Sequence, residues 1–345
     1  MSPVGTSPTP TPAPSPRTGG KGGHPRGATW PTPFPGTPSL DLRVPAATVV
    51  ALAALGAVPL LVRREDVLNL GVVFLLSVAL AQSWNVVAGL AGQVNLGHAA
   101  FFGLGALVTR TLWVGGTPIV PAMAAGAAVA TAAGVGLGLV AFRLRGAYFA
   151  IGTLALAEIL RLTVGNTLSE ISTLPAATIA GYRLTARYYA ALGLALGSVL
   201  VVTALVGSRL GLGMQAVRED EAAAEASGVG ALRVKLQAVA VSTGLAGLAG
   251  GLFGYYHVSY YPQHAFSPTW TFDALLITFI GGVGTVHGPV LGAAFYVVVK
   301  EYLAVRWADF HLLIFGILFI AIVLLLPGGI VEAAGRLRRL AAGPR

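Results

Sequence analysis

Few side chains in this sequence could do chemistry, and one group of them stands together. Eight charged residues fall between Arg209 and Lys235: Arg209, Arg218, Glu219, Asp220, Glu221, Glu225, Arg233 and Lys235. The runs on either side, Tyr188 to Ser208 and Leu236 to Phe272, contain no Asp, Glu, Lys or Arg. Each run exceeds the about 20 apolar residues that a helix needs to cross a bilayer core. The charged stretch is therefore read as a loop between two membrane spans. It is also read as partly helical, because an Ala-rich run led by three acids suits a helix N-terminus, where negative charge meets the positive dipole end. A short helix held outside the membrane is a docking surface for another protein; the plainer reading is a solvated connector. On either reading the loop contributes nothing to the membrane core, so Arg218→Glu is expected to leave folding and insertion intact.

Polar groups inside the apolar runs are the second set, because burying them in lipid is costly and they tend to face a bundle interior or a pathway. Gln93, Asn95 and His98 stand together in a glycine-rich segment. His98 there is open to two readings, a lining or proton-carrying group, or a histidine hydrogen-bonded to a neighbouring helix. Glu158 and Arg161, three apart on one helix face, are expected to pair with each other, with a gating charge pair as the alternative. His287 in GVGTVHGPVLG stands where His98 stands in QVNLGHAAFFG, a hint of internal duplication of the kind transporters carry. The six histidines (His24, His98, His257, His264, His287, His311) form no H-x-x-x-H pair and the chain has no cysteine, so no metal centre is expected. There is no G-x-x-x-x-G-K-[ST] loop, so the chain cannot itself hold ATP phosphates in that manner. No cofactor is expected, and no enzymatic activity.

The elements that must position these groups follow from composition. Hydrophobic residues make up 55% and charged ones 10%, against about 25% charged in soluble domains, which leaves too little polar surface to face water all round. The net charge of +9 is expected to sit in loops and tails and is not read as nucleic-acid binding. Residues 1–43 hold eleven of the 21 prolines and could bury no core; they are expected to form a disordered cytoplasmic tail, without the apolar region of a cleavable signal peptide. Apolar segments follow at 44–62, 67–90, 95–113, 118–142, 146–164, 188–206, 236–257, 273–287, 289–304 and 310–326. The fold class is all-α: a polytopic membrane bundle of about 8–10 segments, with broken or re-entrant glycine-rich helices in 95–113 and 273–304. The membrane-spanning body is 44–332, with the charged loop at 208–235 and a basic cytoplasmic tail at 333–345.

Lys and Arg in short loops set the orientation. Arg143 and Arg145, the 209–235 stretch, and Arg336, Arg338 and Arg339 are all expected inside, with HVSYYPQHAFSPTWT outside. That requires 273–304 to cross twice or to dip and return, turning at GGVGTVHGP, and it puts both termini in the cytoplasm.

GLAGQVNLGHAAFFGLGA (89–106), RLRGAYFAIGTLALAEILR (143–161), the charged loop and FIGGVGTVHGPVLGAAF (279–295), in this order, resemble the LivM-type permeases of branched-chain amino-acid ABC importers. The resemblance covers about residues 65 to 332. It implies that the loop, related to the EAA motif of such importers, docks onto ATPase subunits through Gly213, Gln215, Val217, Arg218, Glu219, Asp220, Ala223, Ala224 and Gly228. It further implies two ATPase subunits, a second homologous permease, an extracytoplasmic binding protein and a plasma-membrane location. The proline-rich tail departs from the family pattern, and two further departures stand out. Keeping the EAA spacing to Gly228 puts Ala222 first, with the acid displaced to Glu221, and the outer stretch NTLSEISTLPAATIAGYRLTARYY replaces a Gly- and Thr-rich one.

Three function classes follow: a permease subunit of an ATP-driven importer, a secondary transporter relaying ions through Glu158 and His98, and a membrane scaffold or channel. The charged loop favours the first, since a secondary transporter has no use for a docking helix. Branched-chain amino acids lead as cargo, ahead of urea, short-chain amides and other hydrophobic amino acids.

Overall fold

The computed structural model describes residues 43–306 except 63, 145 and 169–171, and scattered positions between 314 and 335. The proline-rich tail over 1–42, Arg145, most of the 310–326 segment, and Arg336, Arg338 and Arg339 lie outside the described residues. What is described is helical apart from one two-residue antiparallel pairing, Ser172–Thr173 with Ser259–Tyr260. The helices are α1 (Arg43–Ala54), α2 (Val58–Leu61), α3 (Glu65–Trp84), α4 (His98–Val114), α5 (Ile119–Ala141), α6 (Ala147–Thr167), α7 (Ala176–Ala180), α8 (Leu184–Val206), α9 (Arg209–Glu219), α10 (Glu221–Ala226), α11 (Ala231–Tyr256), α12 (Pro262–Ala265), α13 (Thr269–Gly281) and α14 (Gly288–Arg306). Among the described residues, five stretches are long and apolar enough to cross a membrane: α3 with its continuation to Leu90, α5, α6, α8 and α11.

Glycine sets the packing, as small residues do where helices meet in lipid. A Cβ on Gly105 would overlap Gly247, and one on Gly254 would touch Ala106 and Arg110, so α4 and α11 run parallel in close contact. Gly281 faces Gly288 and Gly292 faces Ile277, an antiparallel hairpin of α13 and α14. The α3 helix runs antiparallel to α11, with Tyr256 OH donating to Asn69 Oδ1 at 2.9 Å and Ser242 Oγ to Ser83 O at 2.7 Å. These registers place the 91–97 and 282–287 loops and the α9–α10 hairpin at one end of the bundle, the hairpin end. Arg110, Tyr182, Arg187, Tyr260 and the short strand pair lie at the other, the strand end.

Both glycine-rich regions hold a break, but the first lies mostly ahead of the expected 95–113, which is one continuous helix from His98 onward. The first break begins as a π-helical widening of α3 over Asn85–Leu90, followed by an unwound stretch to Gly97. The second is the 282–287 loop. At about 1.5 Å per residue, the 13 residues of α13 fall short of a hydrocarbon core about 30 Å thick. The 273–304 region is accordingly a helical hairpin that goes down and returns.

Three sequence expectations need correction. The span read as 188–206 starts four residues earlier, at Leu184, and takes in Arg187, which is only 2% exposed. Its guanidinium lies between the rings of Tyr182 and Tyr255, at 3.6 and 4.3 Å, and its Nε donates to Tyr255 O. The charged loop is two helices: Asp220 takes an extended conformation, ends α9, and caps α10 by accepting from Ala223 N at 3.0 Å. Glu219, the first of the three acids, therefore ends one helix, just after Arg218, instead of leading the next. Finally, the loop does contribute to the core. Met214 is fully buried in the main apolar cluster, and Arg218 bonds to the first break.

Candidate functional site

The two breaks are clamped together by polar side chains on the last turns of α3. Asn85 Oδ1 accepts from Gly284 N at 2.8 Å while its Nδ2 donates to Thr285 O at 2.9 Å. One turn earlier, Gln82 Nε2 donates to Val286 O at 2.6 Å. Residues three apart share a helix face, so one stripe of α3 satisfies three backbone groups that the second break leaves without helical partners. Space is tight here. A Cβ on Gly89 would sit 2.7 Å from Gly284 N and overlap Asn85. Gly284 has φ +78, a left-handed conformation that glycine adopts without steric cost.

Arg218 enters this junction from the hairpin. Its Nη1 donates to Gly89 O at 2.6 Å, its aliphatic stem lies against Gly92, and a Cβ on Gly284 would stand 2.7 Å from Nη1. Burial pulls its pKa below the ordinary arginine value, and the Glu219 carboxylate pushes back. One arginine thus touches both breaks.

The remainder of the hairpin is built to hold Arg218 there. Ser208 caps α9, its Oγ accepting from Gly211 N at 3.1 Å. Val217, Ala224 and Ala231 form a small apolar cluster that packs α9, α10 and the start of α11 together. Lys235 Nζ pairs with Glu221 at 2.5 Å, and Gly228 makes the turn between α10 and α11 with φ +87. Of the residues assigned to docking by resemblance, Glu219, Asp220, Ala223 and Gly228 are exposed, Gly213, Gln215 and Arg218 are half-buried, and Val217 and Ala224 are buried. The outward face is the acidic one. Beside it lies a cleft of about 620 Å³ lined by Gly92, Gln93, the start of α6, Asp220, Glu221, Glu225 and Lys235.

The intramembrane polar residues separate into different surroundings. Gln93 lines that cleft. Asn95 is 2% exposed; its Oδ1 accepts from Gly97 N at 2.8 Å and its carbonyl accepts from Trp84 Nε1 at 2.9 Å, which shapes the turn into α4. His98, the first residue of α4, is fully buried, with Nε2 at 2.7 Å from Ser83 Oγ. Because Ser83 already donates to Leu80 O, the histidine is the donor in this pair, which leaves Nδ1 as an acceptor with no partner among the described residues. His287 is half-buried just before α14, so each break is followed by a histidine where the returning helix begins. Glu158 and Arg161 pair on α6, away from both breaks.

Sequence reading missed Gln82, Asn85, Arg110 and Arg187. Arg110, 1% exposed, donates from Nη1 to Gly254 O and His257 O and from Nη2 to Val258 O at 2.7 Å, holding the end of α11. The signal was present: each is a polar or charged residue within an apolar helix, the class that rarely occurs there without a partner.

The sequence model of a family described as "Branched-chain amino acid transport system / permease component" matches residues 66–323. The chain is 30% identical over 324 residues to the high-affinity branched-chain amino acid transport system permease protein LivM of Escherichia coli, covering 82% of this chain and 74% of that one. The LivM protein of Salmonella typhimurium is 28% identical over 321 residues, covering 83% and 74%. A probable branched-chain amino acid transport permease protein LivM of Methanocaldococcus jannaschii is 26% identical over 142 residues, covering 37% and 41%. No solved structure matches the chain.

Proposed function

Because the chain belongs to the branched-chain amino acid transport permease family, we propose that it forms the translocation pathway of an ATP-driven importer together with a second, homologous permease. The cargo is branched-chain amino acids, delivered by an extracytoplasmic binding protein. The hairpin end is cytoplasmic, and two ATPase subunits dock on the exposed acidic face of α9 and α10. Both termini are cytoplasmic, and residues 1–43 and 333–345 are tails outside the 44–332 permease body.

The observation that carries this reading is the placement of Arg218. An importer must turn nucleotide chemistry on one subunit into movement of another, and packed elements with discrete arrangements are what transmit such movement. The outward side of the hairpin offers charges to a partner, while its inward arginine bonds Gly89 O and lies against Gly284. Displacing the hairpin therefore moves a group that touches both breaks.

The test is leucine uptake into proteoliposomes holding this chain, its second permease and the ATPase subunits, with binding protein outside. Uptake should require enclosed ATP. Uptake by the permeases alone, driven by a proton or sodium gradient, would overturn the reading in favour of a secondary transporter.

A further inference from the structure

The α6 helix carries an ion pair that its neighbours do not explain. Glu158 and Arg161 stand near its middle and bond each other, yet their side chains stay 38% and 28% exposed. Most of α6 is uncovered in this chain, with Ile151 and Ile159 among its exposed residues. Charges at this depth face a bundle interior or water and not lipid, so the flank of α6 that bears them is not a lipid surface.

That flank has a direction. Ala147, Ala150, Leu154, Glu158, Arg161 and Gly165, spaced by three or four, fall on one stripe of the helix. Ala147 and Ala150 line the cleft at the hairpin end, and Gly165 lies against Gln263 at the strand end. Small and aliphatic residues thus run the length of the helix from one end of the bundle to the other, interrupted by one neutral pair of opposite charges.

We propose that this stripe is a wall of the pathway and that Glu158 and Arg161 form a mid-membrane binding site for a zwitterionic α-amino acid. Arg161 takes the α-carboxylate in a two-pronged contact, and Glu158 takes the α-ammonium. The aliphatic side chain lies along Ala150 and Leu154. With no substrate the two residues satisfy each other, so the empty route carries no net charge to trap an ion. A zwitterion replaces one internal pair by two external ones without any change in net charge. A molecule with only one charged end would leave one of the two residues unpaired in the membrane, which disfavours simple amines and carboxylic acids. The inference rests on the importer reading above.

The experiment uses the cysteine-free chain in the assembled, reconstituted complex. Leu154→Cys and Glu158→Cys should react with an anionic methanethiosulfonate reagent, Ile159→Cys should not, and leucine presented with the binding protein should slow the reaction severalfold. The swapped variant Glu158→Arg/Arg161→Glu keeps an intrahelical pair, so it should assemble normally but lose at least ten-fold in leucine uptake. Equal reactivity at Ile159→Cys, or no reaction at both Leu154→Cys and Glu158→Cys in every nucleotide state, would overturn the pathway assignment. Wild-type uptake by the swapped variant would reduce the pair to a helix brace. Failure of the unmodified complex to import leucine would instead count against the importer reading, and the labelling pattern would still report whether the stripe is wet.

Discussion

Arg218 and Gly89 lie 129 positions apart in sequence and share a hydrogen bond of 2.6 Å, from the guanidinium Nη1 to a carbonyl in the last turn of the widened segment of α3. The hairpin and the transmembrane break are therefore one mechanical unit. Removing the arginine leaves a carbonyl in the junction without its donor, a loss of about 1–3 kcal/mol. Arg218→Ala should lower the melting temperature of the purified permease, and Arg218→Glu should lower it more by placing a carboxylate against Gly89 O. Thermal unfolding in detergent reads both.

Glu219, the next residue, points outward and should behave in the opposite way. Glu219→Arg should leave thermal stability within about 0.5 kcal/mol, as exposed substitutions do, while weakening co-purification of the ATPase subunits. A pair of adjacent residues thereby separates inward anchoring from outward docking.

Asn85 bonds two backbone groups of the second break, so Asn85→Leu should leave both without a partner and cost about 2–6 kcal/mol at 1–3 kcal/mol for each group. Gly284→Val should fail more severely, since φ +78 and the contact with Arg218 both exclude a branched side chain. Insertion yield and detergent stability are the measurements, with Gly136→Val as a control at a glycine with open space around its Cβ position.

His257, which follows α11 at the strand end, is held neutral. Burial pulls its pKa below the ordinary 6.5, with the charges of His264 and Arg110 adding to the effect and a hydrogen bond to Phe253 O opposing it. The folded state therefore binds this proton less readily than the unfolded chain. Stability contributed by the neutral ring is complete above pH 6.5 and declines as the pH falls below it. The melting temperature should drop between pH 7.5 and about 5.5, and the drop should shrink in His257→Gln.

The helices were legible because lipid permits little else: runs of apolar residues bounded by Lys, Arg and Gly forecast the helices at 119–141 and 147–167 within three residues. The one forecast at 236–257 begins five residues earlier, at Ala231, and takes in Arg233 and Lys235. The glycine clusters also marked both regions, although the first break falls at 85–97, mostly ahead of 95–113. What sequence could not give was which break meets which. Asn85 and Gly284 are 199 positions apart, and no periodicity links them. The inward turn of Arg218 was hidden for a related reason. A charged residue in a polar loop reads as solvent-facing, but Arg218 lies one turn beyond Met214 on the buried face of α9, which turns it towards the bundle. Arg187 was left outside its span because the span was drawn to begin after the charge; two tyrosine faces accommodate it.

The central claim is that Arg218 links the hairpin to the breaks, and the direct measurement is the number of leucine molecules imported per ATP hydrolysed by complexes carrying Arg218→Gln. The substitution keeps a polar side chain but removes the charged donor to Gly89 O. The account predicts that the ATPase subunits stay bound and hydrolysis persists, while leucine per ATP falls at least ten-fold. A wild-type ratio in an assembled Arg218→Gln complex would contradict it.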